Sequence, residues 1–535
     1  MLLAVVASGY LVRVIPFSLP LPLVQIALGA VIAGVFHHGV VLDPQIFFLL
    51  FLPPLLFLDG WRIPNDGLFR DKAAILELAL GLVVFTVVGA GFLIHWLIPA
   101  MPLAVAFALA AIVSPTDPVA VSSITARAPI PKRLMRILQG ESLLNDATGL
   151  VCFRFAVVAA LTGGFSLVSA SLTFAWMAAA GLGLGVAITL AVSHVQGWLF
   201  QRFGDESGAP ILISLLIPFG AYLLAESIHA SGILAAVAAG VTMSHVELSG
   251  RAQATTRVQR AAVWNTVQFA LNGIMFVLLG EQLPAMLRGA AASVGESGHG
   301  NPWWLAVYAL AIYLGLALLR FLWVWVSLSL TLFKARRPGE QASWPQWRLV
   351  LTASLAGVRG AITLAGVMTL PLLMPDGTPF PARDLTIFLA TAVLLLSMLV
   401  AAVGLPRVLA GLALADESVE RAEEERARHA AATAAIVAIE AARRSLPPHS
   451  VDAGIHTEAA ARATALYRRR LDIAASGDGD SAQLRKVDQI DRALRLAALA
   501  AEREAIFSLA RESDISDATS RKLVREIDLV EARYR

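Results

Sequence analysis

Two stretches of the sequence place acidic residues inside long apolar runs, where a charged side chain is costly. The first is AIVSPTDPVAV, in which Asp117 stands between two prolines. In a helix each proline removes an N–H donor, so Pro115 and Pro118 each free the carbonyl four residues back. The residue before a proline is also pushed out of helical geometry. The pattern therefore predicts a short extended break inside a helix.

The predicted break collects oxygen atoms at one point. It holds free carbonyls, the hydroxyls of Ser114 and Thr116, and the carboxylate of Asp117. Broken backbone at membrane depth is tolerated only against protein or a water-filled cavity. Hard oxygens of this kind can replace part of the water shell of a small cation, so we interpret the break as part of a cation site. The alternative is a kinked helix in which Asp117 only caps the broken end.

The second stretch, GESLLNDATGLV, follows in the next apolar run. Glu141 and Asn145 are four residues apart and share a helix face, whereas Asp146 is turned about 100° further round. Gly149, three residues on, allows another backbone to approach Asp146, and Ser142 offers a hydroxyl oxygen. We interpret Asp146 as the second carboxylate of the cation site. A carboxylate that braces two helices is the alternative.

A third stretch, SLAGVRGAITLAG, carries a cation deep in an apolar run. Arg359 is flanked by Gly357 and Gly360, which predicts a second interrupted helix. We expect Arg359 to balance the exposed helix ends and to pair with Glu141. The alternative role for Arg359 is a salt bridge that only locks a helix crossing.

Four further ionisable residues lie inside apolar runs. Asp59, in FLPPLLFLDGWRIP, either lies at a cavity mouth or caps a helix end. Glu226 either tunes or gates transport, or braces two helices by hydrogen bonds. Arg154, two turns beyond Asp146, either influences that carboxylate or pairs with an acid elsewhere. Arg320 is a further cation at this depth.

Composition shows the class of protein that must position these groups. The chain has 535 residues, of which 57% are apolar and 15% are charged, whereas about a quarter are charged in an average soluble protein. Apolar stretches recur as far as Pro406, so we predict an all-α polytopic membrane protein with about 13 transmembrane helices. The predicted spans are 1–16, 20–37, 44–61, 73–98, 102–126, 134–162, 170–196, 209–229, 231–246, 261–280, 302–333, 346–371 and 385–406.

Loop charges orient these spans. Loops after odd-numbered spans hold nearly all of the loop lysines and arginines, whereas those after even-numbered spans hold only Arg288 and Arg383. The positive-inside rule then predicts an N-terminus outside the cell and a cytoplasmic C-terminal tail. The two interrupted spans, five and twelve, run in opposite directions, which is typical of inverted-repeat transporters.

The chain divides into two regions by composition. Residues 1–412 form the predicted transmembrane domain, and residues 413–535 form an Ala-rich, highly charged and soluble helical tail. We expect the tail to be an appendage that regulates transport or pairs with a second protomer. A passive, solvated appendage is the alternative. Its predicted helices lie around 415–445, 456–475, 481–512 and 515–533.

Five segments, in order, resemble signature segments of the monovalent cation:proton antiporter family, which includes bacterial and animal Na+/H+ exchangers. They are PPLLFLDGWRI, SPTDPVAV, GESLLNDATGLV, ESIHASGILAAVAAG and GVRGAITLA. The resemblance implies a thirteen-helix homodimer in a bacterial inner (plasma) membrane. It also implies a dimerisation domain and a six-helix core in which two broken helices cross.

Carried over to this chain, the resemblance implies a role for each matching residue. Asp146 becomes the ion-binding carboxylate, and Asp59 lies near the approach to the ion. The residues implied around the ion are Thr116, Asp117, Ser142 and Asn145, and the implied structural salt bridge joins Glu141 to Arg359. The adjacent Asn145 and Asp146 imply electroneutral exchange of one Na+ for one H+, with Li+ and K+ as further candidates.

The same residues suggest how the movement of Na+ would be coupled to the movement of H+. Burial disfavours the charged form of a carboxylate, so either a proton or a cation must neutralise it, and the two compete for one site. We predict no resident cofactor, because only Na+ and H+ pass through the site and no Walker-type phosphate loop occurs. A nucleic-acid partner is not expected.

Functions from other classes remain to be weighed. A K+/H+ antiporter is the nearest alternative, and a pH-gated cation channel would use similar oxygen ligands without obligatory proton competition. An intramembrane enzyme is not expected, because the sequence has neither an HExxH zinc motif nor a GxSxG elbow. A membrane receptor that signals through its tail would leave the intramembrane acids without purpose.

Overall fold

The computed structural model describes most of the chain, and the statements below concern only those residues. They are residues 1–14, 20–36, 44–62, 76–125, 130, 132–163, 167–203, 208–248, 254–296, 301, 303–334, 347–410, 418–444, 453–475, 478–512 and 517–534. Two compact units are present, Met1–Ala413 and Leu414–Arg535.

Helices make up nearly all of the first unit. In chain order they are α1 (Leu2–Val14), α2 (Leu21–Phe36), α3 (Pro44–Arg62), α4 (a π-helical start at Glu77–Leu82 continued by Val83–Leu97), α5 (Leu103–Val113), α6 (Pro118–Ile124), α7 (Lys132–Thr162), α8 (Leu167–Phe203), α9 (Ala209–Ser227), α10 (Gly232–Leu248), α11 (Ala254–Glu296), α12 (Trp303–Lys334), α13 (Trp347–Leu355), α14 (Ala361–Met368) and α15 (Arg383–Leu409).

These helices fall where the apolar runs predict them, and an all-α membrane protein is confirmed. Within the described residues, seven helices are long and apolar enough to cross a membrane. Predicted spans five and twelve each consist of two half-helices, α5 with α6 and α13 with α14. Both interruptions occur at the stretches that sequence patterns single out. The number of crossings, 13, stays a prediction.

Glycines let pairs of helices pack backbone against backbone. A Cβ on Gly280 of α11 would overlap the carbonyl oxygen of Ile26 on α2, and one on Gly240 of α10 would overlap that of Phe57 on α3. Small residues at such contacts are typical of helix association in membranes, where close van der Waals packing replaces the hydrophobic effect. Both α3 and α11 also contact α14, which places them beside the second interruption.

A compact apolar cluster joins α3 and α11 to α9. Phe57 of α3 stacks on Trp264 of α11 with ring centroids 5.3 Å apart, and the Trp264 indole N–H donates to Ser214 of α9 at 3.2 Å. Trp264 is 1% exposed. Because a buried indole is large and its N–H is satisfied, this cluster fixes the relative positions of α3, α9 and α11.

The second unit is also helical. Its helices are α16 (Ser418–Arg444), α17 (Ala453–Ala475), α18 (Asp478–Arg511) and α19 (Asp517–Tyr534). Arg503 of α18 forms ion pairs with Asp528 and Glu531 of α19. These four helices agree with the tail helices predicted from the sequence to within a few residues.

Candidate functional site

The first helix interruption occurs at the stretch where its two prolines predict it, although Ser114, before Pro115, keeps helical dihedral angles (φ −72°, ψ −43°). Helix α5 ends at Val113 and α6 begins at Pro118, with no helix between them. The N–H of Asp117 donates to the carbonyl of Val358 at 2.7 Å, and the Asp117 carboxylate accepts from the N–H of Ala120 at 3.3 Å. Asp117 therefore caps α6, as the alternative interpretation expects, and it also reaches the cavity described below.

The second interruption lies directly against the first. Helix α13 ends at Leu355 and α14 begins at Ala361. A Cβ on Gly360 would overlap the Asp117 side chain, so only glycine permits this approach. The hydrogen bond from Asp117 to Val358 joins the same two segments. The structure thus brings together two breaks that are more than 200 residues apart in sequence.

Arg359 satisfies the carbonyls that these interruptions expose. Its Nε donates to the carbonyl of Val113 at 2.9 Å, its Nη1 donates to the carbonyl of Gly357, and its N–H donates to Ser397 at 3.0 Å. Val113 is the last residue of α5, where the helix dipole is negative. These contacts are those expected of a residue that balances exposed helix ends.

The predicted ion pair between Glu141 and Arg359 is wrong, because Glu141 pairs with Arg320 instead. Two Arg320 nitrogens donate to the two Glu141 oxygens at 2.5 and 2.9 Å, and its third donates to the carbonyl of Ala353 at 3.1 Å. Both side chains are buried. The planar guanidinium of Arg320 fits the carboxylate with two parallel bonds, whereas Nε and Nη1 of Arg359 donate to carbonyls.

Arg320 is the functional-site residue that sequence reasoning noticed but did not interpret. Its depth in an apolar run was the only available signal. A Cβ on Gly357 would crowd the Arg320 side chain at 2.6 Å, so the glycine beside Arg359 makes room for the other arginine. Spacing along the chain carries no information about this contact between α7, α12 and α13.

A cavity opens where the interrupted helices meet α3, α7 and α11. Its empty volume, including the part open to the outside, is about 460 Å³. Five of the six residues predicted to surround the ion line it, all except Asn145. The lining residues are Leu55, Asp59, Pro115, Thr116, Asp117, Ser142, Asp146, Gln268, Asn272, Gly360, Ile362 and Thr363.

Asn145 is placed behind this lining, in a chain of hydrogen bonds. Its amide donates to the Thr116 hydroxyl at 3.0 Å, and that hydroxyl donates to Glu141 at 3.2 Å. Glu141 in turn accepts from Arg320. The chain holds Thr116 in one orientation at the cavity wall, so the structure assigns Asn145 a positioning contact with a cavity residue.

Asp146 lies on α7 at the cavity wall and is 4% exposed. A Cβ on Gly149 would overlap the ring of Pro115 and would lie 3.0 Å from the carbonyl of Ala111. The predicted role of Gly149, to let another backbone approach Asp146, is therefore confirmed. This close packing places Asp146 beside the first interruption.

Helix α11 supplies a cavity wall that sequence reasoning missed. Gln268 and Asn272, four residues apart on one helix face, both line the cavity. Arg62 of α3 donates to Gln268 at 2.5 Å and also to Asn265. Neutral amides are too common in membrane helices to signal a site by themselves. The shared spacing of three and four residues was the only clue.

Arg154 and Glu226, both predicted as modulators, contact each other. Arg154 of α7 donates to Glu226 at 3.2 Å, and the two side chains are 39% and 33% exposed. Glu226 also accepts from the N–H of Gly232, at the start of α10, at 3.3 Å. The bracing role for Glu226 is thus present, and Arg154 has its acidic partner on α9.

Replacing Arg154 by glutamine is expected to lower stability by about 1 kcal/mol, because a partly exposed ion pair contributes little. The pH dependence of ion exchange is expected to stay unchanged, because Glu226 rather than Asp146 balances this charge. Thermal unfolding of purified protein and the pH profile of exchange in vesicles measure the two effects. A shifted pH profile would show that Arg154 acts on the cavity.

The chain matches a family model described as "Sodium/hydrogen exchanger, transmembrane" over residues 1–411. It is 43% identical over 538 residues to an uncharacterized Na(+)/H(+) exchanger of Escherichia coli strain K12, which covers 99% of this chain and 97% of that protein. It is also 43% identical over 411 residues to a sodium, potassium, lithium and rubidium/H(+) antiporter of Bacillus pumilus, covering 76% of this chain and 60% of that protein.

The fold is similar to a solved structure as well. The sodium proton antiporter MjNhaP1 from Methanocaldococcus jannaschii superposes with a TM-score of 0.56 and 18% sequence identity. The match covers 75% of this chain and 97% of that one. At this identity the likeness concerns the fold alone, and it agrees with a bundle of membrane helices.

Proposed function

Because the chain belongs to the sodium/hydrogen exchanger family, whose members exchange monovalent cations for protons, we propose that Asp146 binds both ions in turn. The observation that carries this proposal is the cavity in which Asp146 meets the interrupted helices. Asp117, Ser142 and Thr116 line the same cavity and offer the hard oxygens that an alkali cation needs.

Competition for one carboxylate accounts for the coupling. Desolvation disfavours a charged, empty Asp146, so the carrier changes its orientation only when a cation or a proton neutralises that side chain. Movement of Na+ in one direction then obliges H+ to move in the other. Activity is expected to fall at low pH, where protons outcompete the cation for Asp146.

The neighbouring charges have supporting roles in this scheme. Arg359 compensates the carbonyl ends of the interrupted helices, and the Glu141–Arg320 pair is neutral overall. Neither arginine therefore takes the place of the cation at Asp146. Asp59 lies at the cavity on α3, where a third carboxylate, besides those of Asp117 and Asp146, attracts cations toward the site.

We further propose that Na+ is the main substrate and that one Na+ exchanges for one H+. A K+/H+ exchanger is the second candidate, because the Bacillus pumilus relative is named for sodium, potassium, lithium and rubidium. The protein would act as a homodimer in the bacterial plasma membrane, with the N-terminus outside and the tail in the cytoplasm. Transport is its proposed activity, with no enzymatic reaction and no resident cofactor.

Inside-out vesicles that contain the protein test this function. A respiration-driven pH gradient is established, and Na+, K+ or Li+ is then added while a fluorescent dye reports the internal pH. Exchange is expected to dissipate the gradient on addition of Na+, more slowly at low external pH. A cation flux that follows the membrane potential and leaves the pH gradient intact would instead indicate a channel. Absence of both responses would contradict the proposal.

A further inference from the structure

Two cavity residues outside the predicted ion site have polar groups that the protein itself does not use. They are Thr363, in the first turn of α14 just after the second interruption, and Asn272 on α11. Both face the same cavity as Asp146. Thr363 lies within the segment GVRGAITLA, but the sequence analysis assigns no role to it or to Asn272.

Thr363 has a buried hydroxyl without a hydrogen-bond partner among the residues that the structure describes. Threonine hydroxyls in helices usually donate to a carbonyl one turn back, as Thr352 of α13 does to Arg348 at 2.7 Å. Thr363 is only 1% exposed, and an unsatisfied buried hydroxyl is costly. That cost is removed if a ligand in the cavity binds to the hydroxyl oxygen of Thr363.

Asn272 is the second such group and lines the same cavity from α11. Gln268, one turn before it, is held by Arg62, whereas no hydrogen bond joins the Asn272 side chain to another described residue. Asn272 lies deeper along the face that begins at Asn265. An amide oxygen is a neutral ligand for hard cations, so it can contact an ion without adding charge.

We propose that Thr363 and Asn272 are specificity-determining ligands that complete the oxygen shell of the cation held by Asp146. The carboxylates supply the negative charge, and these two neutral oxygens determine how short the distances between the cation and its surrounding oxygen atoms can become. Discrimination among alkali cations depends on the number and field strength of such dipoles. Removing one is therefore expected to weaken binding of small ions more than of large ones. The proposal rests on the exchange function proposed above.

Isosteric replacement of Thr363 by valine removes the hydroxyl and keeps the volume. The KM for Na+ and Li+ is expected to rise about tenfold, because the ion–dipole contact that is lost is comparable in strength to a polar contact with a charged group, which contributes about that factor, while kcat is retained. The KM for K+ is expected to change less, so the KM for K+ divided by the KM for Na+ falls. Asn272→Ala is expected to act in the same direction, and Asn272→Ser to restore part of the loss.

Thr352→Val and Asn265→Ala are the matched controls. Thr352 donates to its own helix, Asn265 accepts from Arg62, and neither lines the cavity. Both controls are expected to keep the wild-type KM ratios for Li+, Na+ and K+. Gel filtration of each purified variant verifies folding independently of transport.

Exchange in the same inside-out vesicles measures these ratios. Equal changes in KM for all three cations, or none, in folded Thr363→Val and Asn272→Ala would overturn the proposal while wild-type exchange persists. Absence of exchange in the wild type itself would instead overturn the proposed function. The two failures are therefore distinguishable in one experiment.

Discussion

Replacing Asp146 by asparagine is expected to abolish cation/proton exchange, with a loss of at least about a hundredfold in rate. Asparagine has nearly the same size, but it cannot take up a proton near neutral pH and offers a cation no negative charge. Asp117 and Asp59 also line the cavity, but neither takes over the proposed role of Asp146 in binding the two ions in turn, so both halves of the exchange cycle are expected to fail. The fluorescence assay in inside-out vesicles measures this loss for Na+, K+ and Li+.

A matched control must show that the Asp146 variant folds and that loss of exchange is specific to this position. Asp384→Asn makes the same chemical change at an acid on the first turn of α15 that is 57% exposed. That variant is expected to exchange cations at the wild-type rate. The Asp146 variant is expected to be produced and to elute as wild type in gel filtration, since the substitution conserves volume. Persistent exchange in folded Asp146→Asn would remove this carboxylate from the mechanism.

Breaking the buried pair between Glu141 and Arg320 is expected to give the largest loss of stability. Either Glu141→Gln or Arg320→Met leaves one charge buried without its partner, which costs about 3–5 kcal/mol. Arg320 also holds the carbonyl of Ala353, and Glu141 holds Thr116. Each single variant is thus expected to unfold at a markedly lower temperature in detergent, with reduced yield.

A double variant separates the charge effect from lost packing. Glu141→Gln combined with Arg320→Met removes both charges, and it is expected to be more stable than either single variant. Thermal unfolding monitored by intrinsic tryptophan fluorescence measures all four proteins. Strictly additive losses in the double variant would contradict the interpretation that desolvated charge dominates. The outcome concerns stability and does not depend on transport.

The positions of the two interruptions were predictable because their causes are local. Proline lacks an N–H whatever surrounds it, so the break before Asp117 follows from the residues themselves. Membrane helices likewise follow from apolar runs, because a backbone in lipid must satisfy its own hydrogen bonds. For the same reason Asp146 and Asp117 stood out as candidate site residues, since a carboxylate at that depth requires an explanation.

The choice of ion-pair partner was not predictable in the same way. Glu141 had three deep arginines available, Arg154, Arg320 and Arg359, and only the packing of α7 against α12 and α13 decides for Arg320. Arg359 donates to the carbonyls of Val113 and Gly357, which the two interruptions expose and bring within its reach. A pairing that depends on which donors remain free cannot be inferred from spacing along one helix.

Residue type and order alone thus determined the class of protein, the helical runs, the two breaks and the acids within them. Each of these results from forces that act within one segment, namely backbone hydrogen bonding and the cost of burying charge. Tertiary structure alone decided that Glu141 pairs with Arg320, that Asn145 supports Thr116, and that α11 adds Gln268 and Asn272 to the cavity. Those arrangements arise between distant segments, where geometry selects among chemically equivalent partners.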